Sequence, residues 1–109
     1  MELVLLVIPG CPNSGTAKEL FDSALGLEGI TNAVEVREIT TQDQAERYDF
    51  HGSPSFSLDG TDLFASAAAP AVACRVYPTA SGLAGQPGID DLRRAIRAVL
   101  PAPAPNARA

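Results

Sequence analysis

VLLVIPGCPNSGTAKELF, residues 4–21, holds a change of pattern that decides the fold. The apolar run from Leu3 to Ile8 is too short and too uniformly bulky for a surface helix. It reads as a strand buried on both faces, the signature of a parallel sheet. Pro9, Gly10, Cys11 and Pro12 break the run, and from Asn13 the apolar residues recur at Ala17, Leu20, Phe21, Ala24 and Leu25. That spacing predicts a helix, with Lys18, Glu19 and Asp22 on its wet side and Gly26 and Gly29 ending it. Ala33 to Ile39 then alternates, Val34 and Val36 one way and Glu35 and Arg37 the other, as a half-exposed edge strand does. Strand, helix and strand together give a right-handed βαβ unit.

Beyond that unit, Thr41 to Tyr48 is polar and short, with Thr41 placed to cap a brief helix. Ser55 to Leu58 reads as a third strand, and Asp59-Gly60 as a turn. Two candidates compete for a fourth strand, Asp62 to Phe64 and the Val72 to Tyr77 stretch around Cys74. Pro78 to Gly88 is a loop by composition. The long segment between Asp59-Gly60 and the last helix is of the kind that carries function or conceals a strand. That helix runs from Ile89 to Leu100, with Asp90 and Asp91 in the first turn where the dipole favours acids. The expected fold class is α/β, a four-stranded mixed sheet in the order βαβ-α-ββ-α with helices on both faces. Residues 1–100 form one domain, and PAPAPNARA, residues 101–109, a flexible Pro/Ala-rich tail.

The bulk numbers narrow the functions. A chain of 109 residues with net charge −5 lacks the basic face that nucleic acids require. No stretch is long and apolar enough for a membrane span. The opening apolar run follows Glu2 and has no basic flank, so it does not read as a secretory signal. The expected location is cytoplasmic, where thiols are kept reduced. The two cysteines, Cys11 and Cys74, are then expected as reactive or buried thiols, not as a structural staple.

Three chemistries use a strand that ends in a turn and opens a helix. Gly10 to Gly15 has the spacing of a phosphate-binding loop, but the lysine such loops need next is Thr16, and Pro12 removes an amide. A phosphatase loop needs an arginine at the sixth place after its cysteine, and Ala17 stands there. Thiol redox needs less. A cysteine at a helix N-terminus meets the positive end of the dipole and unpaired amides, which favour thiolate. Pro12 suits a first helical position, and Ser14 stands where a second cysteine would complete Cys-x-x-Cys. Cys11 also has a plain reading as a small buried residue.

VIPGCPNS at a strand-to-helix turn, followed later by GSPSFSLDG, resembles the thioredoxin-like superfamily in its compact, glutaredoxin-sized form. The run ACRVYPTASGLAGQPGIDDLRRAI is similar to small actinobacterial thioredoxin-like proteins, some of them labelled as related to alkylmercury lyases. The resemblance implies a cis bond at Ser53-Pro54, lying against Cys11, with the Ser53 backbone offering its N–H and C=O to an extended substrate. It implies a thiol–disulfide oxidoreductase in which Cys11 attacks and Ser14 steadies the thiolate. Pro12, Ser53 and Pro54 would contact substrate. Cys74 or an outside low-molecular-weight thiol would resolve the mixed disulfide. His51, three residues before Pro54, is a candidate modulator of the Cys11 thiol. Cys74 is open between a core-facing strand residue and a partner for Cys11. Arg75 is open between an anion-binding group and an ordinary surface cation. No bound cofactor and no metal centre is expected, and the partner is a thiol- or disulfide-containing protein or small molecule. The alternatives are a thiolate module for a soft metal such as mercury or copper, or a redox-silent adapter.

Overall fold

A computed structural model describes residues 1–100. The proposed tail at 101–109 lies outside the described residues. In chain order the elements are β1 (Leu3–Val7), α1 (Ser14–Leu27), β2 (Val34–Glu38), α2 (Gln42–Arg47), β3 (Ser55–Leu58) and β4 (Thr61–Asp62). A short hairpin follows, β5 (Tyr77–Thr79) and β6 (Gly82–Ala84), and then α3 (Ile89–Val99). The main sheet runs β2-β1-β3-β4, with β1 and β2 parallel and the other two pairs antiparallel. The expected mixed α/β architecture with a four-stranded mixed sheet and three helices is present. The fourth strand is the one after the Asp59-Gly60 turn.

Every residue of β1 is buried, because both of its faces are covered. Leu3, Leu5 and Val7 join Phe21, Phe56, Leu92 and Ile96 under α1 and α3. Val4 and Leu6 face the other way, into a smaller cluster with Ile39, Ala45 and Phe50 under α2. In the larger cluster the Phe21 and Phe56 rings meet edge to face at 5.2 Å. Such a pair contributes about 0.5–1.5 kcal/mol beyond the area it buries.

The helix ends follow from local chemistry. Thr41 caps α2 by accepting from the Gln44 N–H at 3.2 Å. At the far end of α1, Gly26 continues the helix and Gly29 ends it, at a φ of +77°. The Gly29 N–H donates to Gly26 and the Ile30 N–H to Leu25, a pairing that closes the last turn.

Two parts of the 60–88 region differ from the sequence reading. Val72 to Tyr77 is not a strand of the main sheet: Cys74 pairs with Ser53 through an isolated parallel bridge, and Tyr77 opens the β5–β6 hairpin. The stretch from Pro78 onward is not simply a loop, since it contributes to the hairpin. Pro78 lies in a two-stranded ribbon, where a missing N–H is tolerated.

Candidate functional site

The β1–β3 register sets one end of the sheet. Leu6 opposite Ser55 is its last pair, so the chain leaving β1 and the chain entering β3 share that end. On the β1 side, Gly10 takes a φ of +74° and the Cys11 N–H donates to the Ile8 C=O at 3.2 Å. Cys11 is a free thiol, only 7 % exposed. The helix starts later than the sequence suggests. Asn13 is its N-cap and Ser14 its first residue, so Pro12 precedes the helix instead of occupying its first position. Cys11 therefore sits in the turn before α1, and the Ser14 N–H donates back to its carbonyl at 3.3 Å. No side chain caps α1.

On the β3 side, the Ser53–Pro54 bond is cis and both residues are buried. The backbone of Ser53 is already occupied. Its N–H donates to Ala73 at 2.8 Å, and its C=O accepts from the Arg75 N–H at 2.9 Å. This corrects the expectation that Ser53 offers both groups to an extended substrate: the chain's own 71–75 segment takes them. Farther back, the Ala71 N–H donates to Phe50 at 3.0 Å, so the segment lies as a strap along residues 50–53. Gly52 makes the close approach possible. It has a φ of +118°, and a Cβ there would meet the Arg75 Cβ at 2.8 Å.

The strap brings Cys74 to the same end of the sheet as the Cys11 turn. Cys74 is exposed and also a free thiol, so it is not the core-facing residue that its apolar surroundings suggest. Arg75 turns the opposite way to an anion-binding role. Its guanidinium meets Asp62 at 2.9 Å with both side chains largely buried, donates to the Phe64 C=O, and stacks 4.9 Å from the Tyr77 ring. Tyr77 in turn donates its hydroxyl to the Pro54 C=O. Burial holds the Tyr77 phenol protonated well above its ordinary range, opposed in part by the neighbouring Arg75 charge.

His51 borders an open groove of about 590 Å³ whose walls include Cys74, Phe64, Ser66 and Tyr77. Cys11 is not among the residues that line it, so the groove gives His51 a neighbour other than the one the sequence suggested. The imidazole is 8 % exposed and its Nε2 lies 2.8 Å from the Asp49 carboxylate. Its Nδ1 is buried without a partner, as is the Ser53 hydroxyl. Sequence reading missed Asp49, Gly52 and Tyr77. Asp49 had a faint signal, a short polar side chain of the kind that tolerates its φ of +51°.

Among the described residues, no group of three or more His, Cys, Asp and Glu side chains is arranged to hold a metal ion. Also among them, no helix is long and apolar enough to cross a membrane. No protein-family model, no curated protein and no solved structure matches this chain.

Proposed function

We propose that this chain is a thiol–disulfide exchange protein on a thioredoxin-like plan, with Cys11 and Cys74 as its exchanging pair. One observation supports this reading above the others. The bridge between Ser53 and Cys74 carries the second cysteine to the sheet end where the Cys11 turn leaves β1. A mixed disulfide on one sulfur is then open to attack by the other, or by an outside low-molecular-weight thiol. The uncapped first turn of α1, beginning at Ser14, would present a positive dipole end to a thiolate at Cys11. The Ser53-Pro54 junction is buried, and the Ser53 backbone serves the strap and not the substrate. A reducing compartment such as the cytoplasm suits the cycle.

The test is stoichiometric. The reduced chain is mixed with excess 2-hydroxyethyl disulfide and followed by intact mass. The wild-type chain should finish with an internal Cys11–Cys74 disulfide and no adduct. Cys11→Ser should halt as a single mixed disulfide, and neither Cys11→Ser nor Cys74→Ser should form an internal bridge. A wild-type chain that keeps its adduct, or that never reacts, would remove the proposal.

A further inference from the structure

The exchange reading leaves open which sulfur meets the outside disulfide first. We infer that Cys74 is the attacking thiol, that His51 accepts its proton through Nδ1, and that Asp49 fixes the imidazole for that task. The inference rests on the exchange chemistry proposed above and assigns its first step.

A carboxylate only accepts hydrogen bonds, so the 2.8 Å contact from His51 to Asp49 places the ring hydrogen on Nε2. Nδ1 is left with its lone pair. That atom has no partner although the side chain is more than nine-tenths buried, at 8 % exposed. Buried polar atoms are rarely left so, and such exceptions mark catalytic roles or sites for a further group. The groove beside this imidazole is the one that the exposed Cys74 thiol borders. The other ionisable groups on its walls are engaged elsewhere, Arg75 with Asp62 and Phe64, and Tyr77 with Pro54. His51 is therefore the one free base in the groove among the described residues. No hydrogen bond joins Cys74 to Nδ1 in the structure; Cys74 swings about a single side-chain torsion, and catalytic hydrogen bonds often form only when substrate is bound.

The Cys74 thiol gives its proton to Nδ1 of His51. The thiolate attacks one sulfur of a small disulfide, forming a bond from Cys74 to that sulfur and breaking the substrate S–S bond. The departing thiolate takes the proton back from the imidazolium. One disulfide is exchanged for another, with no net redox change until Cys11 or an outside thiol completes the reduction. The groove, with Phe64 and Pro78 among its apolar walls, suits a low-molecular-weight disulfide.

The experiment uses the full chain carrying Cys11→Ser, so that only Cys74 reports, with 4,4′-dithiodipyridine as the probe. His51→Gln keeps a donor toward Asp49 and removes the Nδ1 lone pair. It should slow the reaction at pH 7 by about tenfold or more, the lower range expected for loss of a positioned base. In a second variant, His51→Ala, free imidazole should restore the rate, which a purely structural histidine would not allow. Asp49→Asn, which tolerates the same backbone angle, should give a smaller loss that disappears in the His51→Gln background. Unchanged rates in His51→Gln, or no rescue of His51→Ala, overturn the base assignment. If Cys74 is inert while the wild-type chain reacts through Cys11, the inference falls and the exchange function stands. If neither cysteine reacts, the exchange function falls as well.

Discussion

Gly52 decides, at the scale of one residue, whether the strap can lie where it does. A side chain there is opposed twice, by a φ of +118° and by the Arg75 Cβ at 2.8 Å. Gly52→Ala should cost about 2 kcal/mol or more, since a strained backbone and a backbone-level clash are combined. The loss should appear in urea unfolding, and hydrogen exchange should quicken at the amides of Ser53 and Arg75. Wild-type protection at both amides in the variant would show that the strap is held by something else. Only part of this site can be read from the sequence. Cys11 and Pro54 stand out because each sits in a local pattern, a strand-to-helix turn and a serine-proline pair before a strand. Gly52, Asp49 and Tyr77 do not, because their roles depend on partners that the fold supplies. Tyr77 serves Pro54 from across the chain, and Gly52 is required by a segment that the sequence suggests as a strand. The direction of Arg75 was equally hidden, since nothing local announces Asp62 as its partner.

At the scale of elements, α1 and α3 are tied by one carboxylate. Glu28, the C-cap of α1, accepts from Arg93 and from Arg97 of α3, each at 2.7 Å, and its side chain is 9 % exposed. The hydrogen bond from Arg93 is the chief reason its pKa is lowered, with the Arg97 charge adding to it and burial opposing. A carboxylate with a depressed folded pKa binds fewer protons folded than unfolded. Its contribution to stability is complete above the ordinary glutamate value of about 4.3 and is lost as pH falls through the folded value. Glu28→Gln should therefore be less stable than wild type at pH 7, and the gap should close as the solution is acidified below that range. Urea melts at several pH values check this, and a gap that widens on acidification would refute it. The two long helices are legible because their apolar spacing is repeated over several turns, as at Phe21, Ala24 and Leu25 or Leu92 and Ile96. The β5–β6 hairpin is not. Its strands are short, one contains Pro78, and Leu83 is 74 % exposed, so no alternation reports a buried face.

At the scale of the whole molecule, the two sulfurs differ in depth. The strand that delivers Cys11 is the centre of the fold, covered on one face by α1 and α3 and on the other by α2. A turn leaving such a strand starts deep, and Cys11 remains 7 % exposed. Cys74 arrives on a strap laid over the sheet end from outside, and it stays exposed. In the proposed exchange this depth difference sets a direction: an outside disulfide would meet the strap first, and the buried thiol would act on what the strap has captured. It also shields Cys11 from reagents that cannot pass through Cys74. N-ethylmaleimide forms a thioether and offers no such passage, so it separates depth from exchange. Under native conditions it should modify Cys74 first and Cys11 more slowly by about tenfold or more, because Cys11 must wait for the turn to open. Urea below the unfolding transition should quicken Cys11 and leave Cys74 nearly unchanged. Peptide mapping by mass spectrometry reads both rates in one sample. Equal labelling of the two cysteines without denaturant would mean that the Cys11 turn opens freely, and the proposed order of attack would lose its physical basis.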